Sequence, residues 1–276
     1  MSAAALTACA PVRLRARDWL ALQALALWPH GAYLIERALD GSDDPLGLLA
    51  LLSAAGLVAW QADALRLVPR LRWLALAIVL TMAANAAWVL AVPPLAAGVL
   101  AALALGASLA AWWPAPAIAA RPLAPVIGLL LLALPLVASL QFYIGYPLRV
   151  VTAEASSWAL QAAGIDALRS GASMQVDGRL VIVDAPCSGV QMAWWGYFSA
   201  CAAAAVLPLR DARFERRLPI VGAIVLLANV ARNSVLVALE ARPEGLSTMA
   251  HQAIGLVALT LVCVSVGSLM ARRAAE

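Results

Sequence analysis

The sequence predicts an all-α polytopic membrane protein with about eight transmembrane helices and a small extracytoplasmic insertion before the sixth. Hydrophobic residues make up 64% of the 276 residues and charged residues only 12%, whereas a soluble domain is about 45–50% apolar and about 25% charged. A membrane helix needs roughly 20 mostly apolar residues. Windows of this kind cover residues 18–36, 45–62, 73–92, 95–113, 123–143, 187–209, 218–240 and 251–270.

The distribution of arginine predicts how these helices are oriented. The net charge of +4 comes from 19 basic residues, all of them arginine. With the N-terminus inside, thirteen arginines lie in predicted cytoplasmic segments, five lie outside, and Arg232 lies within a span. This bias follows the positive-inside rule. It predicts a multi-pass inner-membrane protein with both termini cytoplasmic. Because the arginines flank apolar spans, we expect no nucleic-acid partner.

Residues 144–186 are the one long segment that this topology places outside the membrane. Residues 149–164 can form a short amphipathic helix. Residues 173–183 have the pattern of a β-hairpin, since Asp177-Gly178 between two strand-forming runs is a strong hairpin signal. The hairpin is expected to act as a lid or as a strand edge for substrate. The predicted regions are therefore a five-helix membrane region (1–143), the extracytoplasmic segment (144–186) and a three-helix catalytic membrane core (187–276).

Cys187 is the first candidate for chemistry, in the stretch Asp184-Ala-Pro-Cys-Ser188-Gly189 that opens the sixth span. Asp184 is expected to cap this helix, which would place Cys187 at a helix N-terminus where the dipole favours a thiolate. A small residue packed at a helix end is the structural alternative. Against this alternative, no other cysteine is expected to reach Cys187 and form a disulfide with it. Cys9 is expected in the cytoplasmic tail, and Cys201 and Cys263 about 18–21 Å below the outer surface. An unpaired thiol in an oxidising compartment is a liability unless it is used.

Arg232 is the second candidate, because an arginine near the middle of a membrane helix costs about 2.5–3.5 kcal/mol on insertion scales. It lies eight residues from the outer end of the seventh span, or about 12 Å deep. Asn229, one turn away, is placed to orient the guanidinium. A structural ion pair with Glu240 is the alternative.

His251 opens the eighth span, so it shares a membrane depth with Cys187, which opens the sixth. A cysteine and a histidine are the minimum for thiolate–imidazole catalysis, although a single interfacial histidine also serves as a polar anchor. His30, the only other histidine, lies inside the first span beside Pro29. It is expected to be a packing residue at a kink.

Cys187-Ser188-Gly189, Asn229-x-x-Arg232 and His251, in this order on successive helices, resemble the exosortase/archaeosortase family of membrane cysteine transpeptidases. The motif resemblance covers residues 144–276. It implies that Cys187, Arg232 and His251 form the catalytic set, with Asn229, Ser188, Gly189 and Asp184 supporting it. It also implies membrane-anchored substrate proteins whose C-terminal sorting signal has a short motif, a membrane helix and a basic cluster.

The predicted reaction is attack by the Cys187 thiolate on a peptide bond just outside the membrane, giving an acyl-enzyme. The acyl group would pass to water or to an amine on a lipid or glycan acceptor, and the resemblance favours transfer. No cofactor and no metal is expected, since two histidines and scattered cysteines give no zinc set. The non-enzymatic alternative is a permease or an assembly factor for exported polysaccharide, with Arg232 binding an anionic group. Rhomboid-like and zinc-dependent proteases are disfavoured, because the sequence has no Ser/His or His-Glu-x-x-His pattern.

Overall fold

The structure is a computed structural model that describes residues 15–39, 45–114, 121–182, 188–207, 209–242 and 245–272. Within these ranges the chain forms ten α-helices, a short 3-10 turn (Ala62–Ala64) and one three-stranded sheet. The helices are α1 (Ala16–Ala26), α2 (Trp28–Leu39), α3 (Leu46–Trp60), α4 (Leu71–Val89), α5 (Pro94–Trp112), α6 (Ala124–Leu132), α7 (Leu136–Ala162), α8 (Val190–Val206), α9 (Asp211–Glu240) and α10 (Thr248–Ala271). The strands are β1 (Ala167–Ser170), β2 (Ser173–Val176) and β3 (Arg179–Ile182).

Four of the described helices, α4, α5, α9 and α10, are long and apolar enough to cross a membrane. The pair α6 and α7 makes a fifth span if the two helices are taken together. α3 is apolar but has only 15 residues, and the first predicted span is divided at Leu27 into α1 and α2. The helical membrane character of the chain is therefore confirmed, whereas the number of eight spans stays a prediction.

The sequence prediction of a short helix at residues 149–164 is wrong in its extent. Residues 149–162 belong to α7, which runs without interruption from Leu136 to Ala162 and contains Pro147. α7 is separated from α6 by a bend of 78°. Pro135, at the start of α7, explains the bend, because proline lacks an amide hydrogen and clashes with the preceding turn.

Small residues bring the membrane helices close together around α5. Two-thirds of α5 is buried (67%), against 17% for α4 and α10. The buried positions of α5 are mostly alanine and glycine, and small side chains let helix backbones approach closely in membranes. By contrast, large apolar side chains on α4 and α10 face outward, including Met82, Leu261 and Val264. This distribution suits helices surrounded by lipid, where outward apolar surface carries no cost.

The largest hydrophobic core joins α3, α5 and α6 to α8, α9 and α10. Its buried members include Leu129 on α6, Trp194 on α8, Val221 on α9 and Val266 on α10. The N-terminal and C-terminal helices therefore share one core. α8, α9 and α10 also pack against one another, and α7 packs along α9.

The predicted hairpin is confirmed for residues 173–182. β2 and β3 are antiparallel, with Val176 opposite Arg179. Asp177 and Gly178 both have positive φ angles, 48° and 79°, as a two-residue type I′ turn requires. β1, which the sequence prediction missed, pairs with the other edge of β2.

The sheet is fixed to the ends of α7 and α9. Met174 and Val176 of β2 are fully buried against Leu160 of α7 and Leu236 of α9, while Gln175 between them is exposed. Alternation of this kind is expected for a sheet with one buried face. The Arg179 guanidinium also donates a hydrogen bond of 2.9 Å to the carbonyl oxygen of Arg242, just past the end of α9. The sheet is thus held over one end of the helices that carry the candidate site.

Candidate active site

Two buried asparagines join α9 to α7. Asn229 Nδ2 donates to Thr152 Oγ1 at 3.3 Å, and Asn233 Nδ2 donates to Ser156 Oγ at 2.9 Å. Both asparagines are 2% exposed. Because a buried amide without hydrogen bonds is costly in apolar surroundings, these two bonds fix the rotation of α9 against α7.

Sequence reasoning found Asn229 but missed Thr152, Ser156 and Asn233. The spacing of these polar residues in the sequence could have indicated the contact, since Thr152 and Ser156 are four residues apart, as are Asn229 and Asn233. Polar residues at this spacing lie on the same face of a helix. Hydroxyl and amide side chains on facing membrane helices often bond to each other.

Gly189 rests directly on Asn229. Its φ is 83°, a left-handed conformation that glycine adopts without strain. A Cβ at this position would lie 2.8 Å from Asn229 Nδ2. Glycine is thus required here both by conformation and by contact.

Ser188, the preceding residue, is held by α7. Its hydroxyl donates to Gln141 Oε1 at 3.0 Å and accepts from the Val190 amide at 3.3 Å. The Ser188 side chain is buried. Residues 188–190, which directly follow Cys187 in the chain, therefore lie between α7 and α9.

The sixth predicted span begins later than the sequence analysis places it. α8 starts at Val190, and its N-cap residue is Gly189 rather than Asp184. The prediction that Asp184 caps this helix is therefore wrong. Asp184 and Cys187 themselves lie outside the described residues.

Arg232 lies on α9, eight residues before the helix ends at Glu240, as predicted. The half-buried side chain extends toward α10, where its Nε and Nη2 atoms are both 3.5 Å from the position of a Cβ on Gly255. The Glu240 carboxylate lies elsewhere, with Oε1 3.9 Å from the corresponding position on Gly245 in the α9–α10 loop. The guanidinium is thus placed against α10 rather than toward the end of its own helix.

His251 lies in the first turn of α10, one helical turn before Gly255. Ser247 caps this helix, with its hydroxyl accepting a hydrogen bond of 3.2 Å from the Ala250 amide. Residues four apart share a helix face. His251 therefore lies on the same face of α10 as the glycine against which Arg232 packs.

A cleft of about 250 Å³ lies between α8, α9 and α10. It is lined by Gln191, Met192, Trp195, Arg232, Gly255, Leu256 and Leu259. Trp195 packs edge-on against Trp194 and Phe198, which fixes one wall. The cleft combines one cationic side chain with mostly apolar walls. A charge in such surroundings interacts more strongly with a ligand than it would in water.

The structure keeps His30 apart from this cleft. His30 is 4% exposed and packs edge-on against Trp88 with a centroid distance of 5.2 Å. It follows the break between α1 and α2 at Leu27, in agreement with the prediction of a packing residue beside a kink. Among the described residues, no group of three His, Cys, Asp or Glu side chains is placed to hold a metal ion.

Comparison with known protein families agrees with the resemblance carried by the three motifs. The sequence model of the family described as "Transmembrane exosortase" matches residues 38–267, which is most of the chain. Comparison with curated proteins and with solved structures gives no match. The match covers α3 to α9, most of α10, the sheet and the cleft, so this multi-pass membrane protein belongs to the transmembrane exosortase family.

Proposed function

We propose that the protein is a cysteine transpeptidase that processes membrane-anchored proteins at a C-terminal sorting signal. One observation carries the proposal. Gly189, two residues after Cys187 in the chain, contacts Asn229, and Asn229 is one turn from Arg232 on α9. The chain segment that bears the thiol is thereby tied to the helix that bears the half-buried Arg232. Family membership supports a protein-processing role for this arrangement.

In the proposed reaction the Cys187 thiolate attacks the carbonyl carbon of the scissile peptide bond. The C–N bond breaks, and His251 donates a proton to the departing amine. The resulting thioester is then attacked by water or by an amine on a lipid or glycan acceptor. His251 takes up the proton of that nucleophile, and the Cys187 thiolate is regenerated.

Arg232 is proposed to stabilise the negative charge that passes between the sulfur and the carbonyl oxygen. Its guanidinium is positioned by α10 at Gly255 and lies beside an apolar cleft. Donors held ready for a developing oxyanion typically contribute a factor of about 10²–10³ each to the rate. This role explains why an arginine is kept within the apolar part of α9, eight residues from the end of the helix.

The outer edge of β3 is proposed to bind the substrate backbone. Within the described residues β2 is paired on both sides, β1 packs on α7, and β3 pairs only with β2. β3 ends five residues before Cys187. An extended peptide that adds to this edge would form backbone hydrogen bonds and be directed toward the thiol.

The arginine distribution supports an inner-membrane location with both termini cytoplasmic and the site facing the periplasm or exterior. In this orientation the substrate's basic tail would stay in the cytoplasm while its motif emerges beside the sheet. The substrate's own membrane helix would then lie alongside α8–α10.

Co-expression with a reporter tests the proposal. The reporter carries a motif, a membrane helix and an arginine-rich tail taken from an exported protein of the same genome. We expect Cys187→Ala to abolish processing and Cys263→Ala to retain it, because Cys263 lies within α10, twelve residues after His251. Normal processing by Cys187→Ala would favour the non-enzymatic alternative.

A further inference from the structure

A second cavity lies away from the cleft, among α2, α3, α5 and the bend between α6 and α7. Its volume is about 160 Å³. The walls are nearly all alanine, glycine, leucine and proline, and the most polar side chain among them is His30. A dry apolar cavity of about 150 Å³ accepts a ligand the size of benzene. The cavity therefore has room for a segment of a hydrocarbon chain.

His30 gives this apolar cavity one unsatisfied polar group. The ring is 96% buried, as its exposure is 4%. Neither Nδ1 nor Nε2 has a hydrogen-bond partner among the described residues. A neutral imidazole carries one N–H donor and one acceptor, and leaving such a group unpaired costs about 1–3 kcal/mol. An occupant with an oxygen at this depth would remove that cost.

Next to this cavity is a smaller one of about 30 Å³ beside Arg37, near the end of α2. The two cavities share four lining residues: Leu34, Leu51, Ala133 and Pro135. They therefore lie side by side, with a cationic side chain lining the smaller cavity and an apolar interior in the larger one. His30 lies two turns of α2 from Arg37, which is about 10 Å along the helix.

We propose that this site binds one membrane phospholipid. An acyl chain would fill the apolar cavity, its ester carbonyl would accept a hydrogen bond from His30, and the phosphate would lie beside Arg37. His30 and Arg37 line the two neighbouring cavities, so one lipid that occupies both would contact both side chains. A water molecule is a poorer occupant, because it needs two to four polar partners and the walls are apolar. The proposal requires no role for Cys187 and holds for either orientation in the membrane.

The test uses full-length protein in phospholipid vesicles that contain phosphatidylglycerol with a photoactivatable diazirine on one acyl chain. After irradiation, we expect labelled peptides from residues 27–34 and 98–105. Ala101→Phe fills the cavity and should reduce this labelling at least about fivefold, a difference of ~1 kcal/mol. The control is Leu103→Phe on the same helix, where the side chain is 38% exposed and does not line the cavity. Equal labelling of the two variants would overturn the proposal.

Two further probes test the polar contacts without filling the cavity. An ether-linked analogue lacks the ester carbonyl, so wild type should prefer the ester-linked probe while His30→Leu labels equally with both. A diazirine diacylglycerol lacks the phosphate, so wild type should label less with it, and Arg37→Gln should lose this difference. Absence of the ester preference in wild type contradicts the His30 contact, and equal labelling by diacylglycerol contradicts the Arg37 contact. Because no protein substrate is used, failure here is distinct from failure of the proposed catalysis.

Discussion

Gly189 and the side-chain amide of Asn229 are in such close contact that a Cβ on Gly189 would lie 2.8 Å from Asn229 Nδ2. This contact joins the start of α8 to the middle of α9. It connects the segment following Cys187 to the residue one helical turn before Arg232. The first two predictions depend on it.

We expect Gly189→Ala to reduce substrate processing by at least tenfold, because the methyl group would displace Asn229 and with it the segment that bears Cys187. Left-handed strain alone costs about 1–2 kcal/mol. Gly164→Ala is the matched control, since Gly164 has a φ of 82° but open space around its Cβ position. Reporter processing and thermal stability are measured for both. An equal loss of processing in the two variants would mean that strain, and not the Asn229 contact, is responsible.

Asn229→Leu should impair processing more than Asn233→Leu, although both should destabilise the protein similarly. Each variant removes one buried hydrogen bond between α7 and α9. Such bonds between membrane helices average about 0.6 kcal/mol and reach about 1.7 kcal/mol. Only Asn229 also supports Gly189. Thermal unfolding in detergent and reporter processing separate the two effects, and identical processing would show that the asparagines serve packing alone.

Arg232→Lys should lose activity by a factor of about 10²–10³ despite keeping the charge, because lysine lacks the planar set of donors. Arg232→Ala should in addition move the midpoint of Cys187 alkylation to higher pH, since the proposed site places the guanidinium beside the thiolate and removal of a neighbouring cation disfavours the thiolate. The alkylation is measured in a background in which Cys9, Cys201 and Cys263 are alanine. An unchanged midpoint together with an active lysine variant would contradict the role proposed for Arg232.

Replacing Asp177-Gly178 with Ala-Ala should reduce processing several-fold while leaving the rate of Cys187 alkylation unchanged. Both residues have positive φ, which alanine adopts only with strain, so the edge of β3 would be disordered. The thiol would remain intact, because α8 is anchored separately by Ser188 and Gly189. Unchanged processing would show that the sheet has only a structural role and that the edge of β3 does not bind the substrate.

These residues also show what the sequence can and cannot predict. The hairpin was predictable because Asp177-Gly178 is a local signal, and the position of Arg232 along α9 was predictable because the helix follows the apolar run of the sequence. β1 was missed because Ala167–Ser170 has no alternating apolar pattern. Its place in the sheet comes from pairing with β2 rather than from its own composition.

The errors around α7 and α8 have physical causes as well. Thr152 and Ser156 were not recognised as partners of α9, since Arg149 and Glu154 interrupt the apolar pattern around them. In the structure they face α9 and are buried. The start of α8 was placed too early because Asp184 and Pro186 imitate an N-terminal capping pattern. The left-handed turn at Gly189 is set by its contact with Asn229, which lies forty residues later in the chain.

The most direct test of the catalytic proposal is to intercept the acyl-enzyme with hydroxylamine. Hydroxylamine attacks the carbonyl carbon of the thioester, displaces the Cys187 thiolate and leaves a hydroxamate at the new C-terminus of the substrate. Mass spectrometry of the reporter should detect this hydroxamate with wild-type enzyme and with Cys263→Ala, and not with Cys187→Ala. Cleavage of the reporter by Cys187→Ala, or wild-type cleavage that never yields the hydroxamate, would contradict the account.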